Sequence, residues 1–239
     1  MSFIGNFFFK ITTITCGILY ASCSPIAVFS DTIARKITII WLKSIMISAR
    51  IFCGIKVNIH NDTFRNETGI IIASNHCSAW ETFFISYKYN IPVFILKKSL
   101  MRIPFIGIFL KKFNMIGIDR DSFSKKNIIK VIKGANSALA SGKNIVIFPQ
   151  GTRVPIDESY NYEKYPYKSG VTMFASGQKI LTISTDASKC FGKGLFSSKK
   201  SGTINIVFNE IITIDKHDAK ELVATKIRNS IETGLRKII

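Results

Sequence analysis

Ile70-Ile71-Ile72-Ala73-Ser74-Asn75-His76-Cys77-Ser78-Ala79-Trp80-Glu81 is the stretch on which the reading of the fold turns. A short run of β-branched apolar residues reads as a strand buried on both faces, the kind found inside parallel sheets. It stops at Asn75-His76, and a helix starts within a few residues. A histidine is thereby left at the carboxyl end of a strand, the edge where open α/β sheets bind their ligands. Glu81 follows in the first helical turn, where its carboxylate can turn back to hold one imidazole nitrogen and leave the other free to take a proton. The same spacing also suits a structural loop histidine followed by an acid that favours a helix N-terminus. Cys77 does not read as a nucleophile, because adjacent residues on a turning loop rarely aim at one another.

Outward from this stretch the pattern alternates. Strands are expected over 56–60, 69–74, 92–96, 144–148, 180–185 and 203–208, and helices over 81–89, 124–141, 169–176 and from about His217 to the end. Such a βαβα rhythm predicts an α/β fold, a mostly parallel sheet flanked by helices. No internal repeat and no Gly/Ser linker divides it.

A second cluster, Phe148-Pro149-Gln150-Gly151-Thr152-Arg153, again lies just past a buried strand. Gly151 permits a tight turn with exposed backbone N–H groups, Thr152 supplies a hydroxyl, and Arg153 offers a planar fork suited to phosphate. A plain turn with a solvated arginine would read the same. Residues 86–145 hold twelve Lys and Arg against two acids. Most of these suit a solvated basic face; the apolar neighbours of Lys97 and Arg120 single out those two as candidate anion ligands.

Toward the N-terminus, residues 11–29 carry no charge, a length that can cross a bilayer, although several Thr and Ser and Pro25 weaken the span. A cleaved signal peptide competes with an uncleaved anchor, spanning or re-entrant. The anchor is favoured because Arg35, Lys36, Lys43, Arg50 and Lys56 follow with no acid between Asp31 and Asp62. Residues 33–53 read either as a helix in the membrane interface or as an ordinary amphipathic core helix. The expected division is 1–55 for membrane-anchoring helices and 56–239 for the chemistry.

The 239 residues suffice for a full core without disulfides. With 47% hydrophobic and 20% charged residues, disorder is excluded. Thirty-three Lys and Arg against fifteen Asp and Glu give a net charge of +18, which points to an anionic partner. A mean hydropathy of +0.23 favours membrane lipid over nucleic acid, and the basic stretch carries no nucleic-acid-binding signature. Five cysteines without a C-x-x-C pair, beside three histidines, give zinc little to bind and suit a reducing, cytoplasmic setting.

Taken jointly, these blocks resemble the glycerolipid acyltransferase family, and within it the bacterial 1-acyl-sn-glycerol-3-phosphate (lysophosphatidic acid) acyltransferases. Asn75-His76 to Glu81 resembles the family's N-H-x-x-x-x-D. Residues 114–120 resemble G-x-x-F-I-D-R, preceded by Lys97, Leu100, Pro104 and Gly107 in the manner of K-x-E-L…P-x-x-G. Residues 148–153 resemble F-P-E-G-T-R, and Tyr167-Lys168-Ser169-Gly170 resembles Y-K-x-G. Four departures stand out: Glu81 for Asp, Gln150 for Glu, Asn114 and Gly117 in the second block, and Thr182 where the family centres a fourth motif on Pro.

The resemblance implies transfer of a fatty acyl group from acyl-ACP or acyl-CoA to the sn-2 hydroxyl of 1-acylglycerol-3-phosphate, giving phosphatidic acid. His76 would be general base and Glu81 its orienting partner. Arg153, Arg120 and Lys97 would hold the acceptor phosphate in a pocket shaped by Gly151 and Thr152. A thioester is already activated, so neither metal nor redox cofactor is expected. The site would face the cytoplasm at the inner membrane of a bacterium. A same-family enzyme acting on lyso-ornithine lipid, and a non-enzymatic basic membrane-binding protein, are the competing readings.

Overall fold

The computed structural model describes residues 3–64, 66–119 and 124–239. Three helices come first: α1 (Phe3–Ser22), α2 (Ser24–Phe29) and α3 (Asp31–Cys53). The chain then alternates through β1 (Ile55–His60), β2 (Ile71–Ser74), α4 (Trp80–Lys88), β3 (Val93–Lys97), α5 (Ile106–Lys112), β4 (Ile116–Ile118), α6 (Lys125–Ala140) and β5 (Ile145–Ile147). It ends with β6 (Lys179–Thr185), α7 (Ser188–Phe191), β7 (Gly202–Thr213) and α8 (Lys220–Arg236).

Seven strands form one sheet in the order β1-β7-β6-β2-β5-β3-β4. Every pairing is parallel except β6 with β7. Because β2 is central, all four of its residues are buried, as the apolar run Ile71-Ile72-Ala73 requires, and the Ser74 hydroxyl donates to the Asn75 carbonyl. The strands β6, β2, β5, β3 and β4 all present their carboxyl ends at one edge, so the loops after them meet there. Apolar side chains fill both faces. One cluster joins Ile72, Val146 and Leu181 to α4 and the N-terminal helices, and the other joins Ile71, Ile145 and Ile180 to α6 and α8.

The mostly parallel α/β sheet expected from the sequence is borne out, with three differences. Strand β7 runs twelve residues rather than six and lies antiparallel to β6. The helix expected over 169–176 is a short 3₁₀ segment, Ser169–Met173. The elements α5, β4 and α7, only three to seven residues each, were not anticipated.

The helices α1 and α3 form an antiparallel hairpin. Cys53 at the end of α3 lies beside Gly5 of α1, the Phe8 and Phe52 rings stack 5.8 Å apart, and the Tyr20 and Thr38 hydroxyls bond at 3.2 Å. Ser30 caps α3 by accepting from the Ile33 N–H, and Gly54 ends it in the left-handed region at φ 61°. Phe9, Tyr20, Ile45 and Cys53 enter the same core as the sheet, so α3 is both a core helix on one side and an exposed apolar one on the other. Phe3, Ile18, Phe29, Ile40 and Ile51 stand out into solvent. By length and composition α1 is apolar enough to cross a membrane, and so large an exposed apolar face is uncommon in a soluble protein.

Candidate active site

His76 sits two residues past β2, and its Nδ1 lies 2.7 Å from Oε1 of Glu81. The same oxygen accepts the backbone N–H groups of Cys77 at 2.9 Å and Ser78 at 2.8 Å. The Ser78 hydroxyl in turn accepts the N–H of Trp80 at 3.0 Å. Glu81 thus ties the backbone at the start of α4 while the Ser78 hydroxyl takes up the Trp80 N–H, and the carboxylate that secures this helix start is also the one that orients the imidazole. At 1% exposure Glu81 needs these donors to offset its desolvation. Its extra methylene over Asp is taken up without loss of reach. Oε2 has no partner among the described residues.

With Nδ1 committed, Nε2 is the imidazole nitrogen available to a substrate proton. The ring is stacked on Phe148 with centroids 4.0 Å apart and planes at 16°, which fixes its tilt. The backbone around it is tied to both neighbouring strands. The Asn75 amide donates to the Thr185 carbonyl at 2.8 Å and accepts the Thr185 N–H at 2.9 Å, bridging to β6. On the β5 side the N–H of Val154 donates to the His76 carbonyl at 2.7 Å. Buried Gln150 places Oε1 3.5 Å from the His76 N–H. A neutral amide is cheaper to bury there than the Glu that the motif usually carries.

The second cluster turns sharply where expected. Gly151 adopts φ +69°, and the Phe148 carbonyl accepts its N–H at 2.9 Å. Lys168 crosses this glycine, its terminal carbons and ammonium about 3.5 Å from where a Cβ would stand, and its own N–H bonds to the Pro149 carbonyl. Arg153 is half-buried, and its Nε is shielded from solvent with no partner among the described residues. Thr152 is exposed at the tip. The structure brings His76, Glu81, Gly151, Thr152 and Arg153 to one edge of the sheet. Lys97 lies at the same edge, at the end of β3 and exposed, with no ion pair among the described residues. Arg120 lies outside the described residues.

Four contributors escaped the sequence reading as such: Phe148 as stacking platform, Asn75 as bridge, Gln150 as backbone partner and Lys168 as cover of the turn. Each stood inside a motif the sequence offered, but the motif does not show which partner the side chain meets. The Thr182 departure has a structural account. Its hydroxyl, fully buried, bonds to the Ser230 hydroxyl at 2.6 Å and lies 3.0 Å from the Asn209 amide nitrogen, tying β6 to α8 and β7. Among the described residues no three His, Cys, Asp or Glu side chains gather into a metal-binding group.

Residues 56–206 match the family model described as Acyltransferase. A 1-acyl-sn-glycerol-3-phosphate acyltransferase of Pseudomonas aeruginosa is 30% identical over 169 residues, 70% of this chain and 63% of that protein, so the match spans under two thirds of that relative's length. A Bacillus subtilis protein of the same name is 29% identical over 161 residues, 66% of this chain and 73% of its own. In three dimensions the chain resembles the crystal structure of the 1-acyl-sn-glycerophosphate (LPA) acyltransferase PlsC of Thermotoga maritima. The TM-score is 0.70 at 16% identity, covering 98% of this chain and 95% of that one, a likeness of fold.

Proposed function

The chain belongs to the acyltransferase family, and from that premise we propose that it transfers a fatty acyl group from acyl-ACP or acyl-CoA to the sn-2 hydroxyl of 1-acylglycerol-3-phosphate. The product is phosphatidic acid, made in phospholipid synthesis. The observation that carries this reading is the His76 Nδ1 contact with buried Glu81 at 2.7 Å, which leaves Nε2 to act as general base. Nε2 takes the proton of the sn-2 hydroxyl as its oxygen attacks the thioester carbonyl. The tetrahedral intermediate then expels the thiolate, which recovers that proton from the imidazolium. Glu81 stabilises the imidazolium between the two steps, and no covalent enzyme intermediate is needed.

Arg153 and Lys97 hold the acceptor phosphate, with Gly151 and Thr152 shaping the turn around it. Arg153 Nε, which has no partner among the described residues, supports an anion as its neighbour. Residues 1–55 act as membrane anchor and 56–239 as catalytic domain. The apolar hairpin seats in the bilayer so that the active site meets the headgroup plane at the cytoplasmic face of the inner membrane. Lysophosphatidic acid keeps its acyl chain in the lipid, so the enzyme must come to it. The test is an acceptor panel on membranes containing the protein. Acylation of lysophosphatidic acid supports the reading, while acylation of lyso-ornithine lipid alone, or of neither, overturns it.

A further inference from the structure

Beside the turn that carries His76, between the loop after β5 and α7, lies a cleft of about 290 Å³. Its walls include Cys77, Pro155, Ser188, Lys189, Lys193 and Lys200. We propose that this cleft binds the phosphopantetheine arm of the acyl donor, its phosphate on Lys193 and Lys200 and its thioester end toward His76. The proposal rests on the acyl-transfer reading and adds to it where the donor sits.

Strand order makes the argument. His76 follows β2, which lies between β5 and β6. The turn holding Arg153 follows β5 and Lys97 ends β3, so the acceptor-side cations lie to one side of the histidine. The cleft is walled by Pro155, Ile156 and Asp157 of that same loop after β5 and, across from them, by α7 and the loop after it, which carries Lys193 and Lys200. The two phosphates are then held by separate segments, the acceptor's by Arg153 and Lys97 and the donor's by Lys193 and Lys200 beyond α7. The cleft also shares the backbone of the site. Cys77 is the residue after His76, and Pro155 follows Val154, whose N–H bonds to the His76 carbonyl. The Ile156 N–H donates to Ser188 Oγ at 3.2 Å, joining the loop after β5 to α7 across the cleft.

Charge and shape agree. Lys193 and Lys200 are exposed and have no carboxylate partner among the described residues, whereas Lys189 is shared with Asp186 at 3.2 Å. One acid, Asp157, lines the cleft against three lysines, so the site favours an anion. Lysine is a point charge suited to a phosphate that terminates a flexible arm. Pro155 and Ile156 give that arm apolar surface, and Ser188 a hydroxyl. The ligand chemistry is common to CoA and to acyl carrier protein, both of which carry phosphopantetheine.

The experiment measures binding of 4′-phosphopantetheine and of pantetheine to the full chain in detergent, for wild type and for Lys193→Glu with Lys200→Glu. The Lys193→Gln, Lys200→Gln pair and a thermal melt guard against misfolding. Donor KM is measured in parallel with acyl-CoA, acyl-ACP and acyl-pantetheine. The expected result is a tenfold or greater loss of phosphopantetheine affinity, with pantetheine binding unchanged. KM should rise similarly for both phosphorylated donors, with the KM for lysophosphatidic acid unmoved. Unchanged phosphopantetheine affinity overturns the proposal. A rise with acyl-CoA alone overturns it in favour of the nucleotide phosphates, and a rise with acyl-ACP alone in favour of the carrier's surface. If wild type binds phosphopantetheine yet acylates no lysophosphatidic acid, the donor site stands and the acceptor assignment falls.

Discussion

Glu81 Oε1 receives three donors within 2.9 Å, and this concentration on one oxygen separates charge from shape in a mutant. Glu81→Gln keeps an acceptor oxygen for the backbone N–H groups, so α4 still starts, but the imidazolium loses its counter-charge. Turnover should fall by about a hundredfold with little change in melting temperature; a matched loss of stability would mean that the residue serves only the cap. Arg153→Ala should raise the KM for lysophosphatidic acid by about tenfold or more and leave the donor KM nearly unchanged. Paired substrate titrations decide this, and equal shifts would make Arg153 part of the turn alone. Gly151→Ala places a side chain at φ +69° against Lys168, which costs about 1–3 kcal/mol locally and should raise acceptor KM through a displaced turn. The His76–Glu81 pair was legible because both partners lie within one strand-to-helix connection. The bridge from Asn75 to Thr185 was not, because its ends are 110 residues apart.

Strands announced themselves where Ile and Val run unbroken, as in β2 and β5, since burial on both faces favours apolar residues, and β6 was legible from Ile180, Leu181 and Ile183 despite its buried Thr182, Ser184 and Thr185. Short elements gave no such signal. Strand β4 is three residues held by pairing with β3, and α5 is seven; neither is long enough to show a period. The direction of β7 was illegible for another reason: whether a strand after a connection runs parallel or antiparallel depends on its partner, not on its own residues. Polar residues buried between β6, β7 and α8 hold that partner in place. Asn209 Nδ2 donates to Thr182 at 3.0 Å and to Ser184 at 2.9 Å, and Gly234 of α8 lies so close that a Cβ there would collide with Ser184. Asn209→Ala should therefore cost about 1–3 kcal/mol, read as a lowered melting temperature, with the KM of both substrates unchanged. A fall in activity at unchanged stability would contradict this structural role.

At the scale of the molecule, the N-terminal hairpin is fastened to the rest at both ends of α1. Asn6 exchanges two hydrogen bonds with the backbone of Lys199, whose buried ammonium reaches the carbonyls of Gly194, Leu195 and Ser197 and stacks over Phe191. At the other end Tyr20 stacks on Phe109, and Lys112 bonds Val28 and Asp31. Deleting residues 1–30 should accordingly leave an aggregated protein rather than a soluble enzyme, because Phe9 and Tyr20 leave the common core; truncating one buried phenylalanine to alanine already costs about 3–5 kcal/mol. High salt should leave the intact chain in the membrane fraction while detergent releases it, since apolar contact outweighs the screened attraction of its lysines. Release by salt would assign attachment to charge alone. The central claim is that His76 takes the proton of the sn-2 hydroxyl of lysophosphatidic acid. Its most direct test is mass spectrometry of the product formed by purified wild type and His76→Ala from lysophosphatidic acid and a labelled acyl thioester. Wild type should form phosphatidic acid labelled at sn-2, and His76→Ala, folded and membrane-bound, should form it at least about a hundredfold more slowly. Labelled phosphatidic acid at near wild-type rate from His76→Ala would contradict the account.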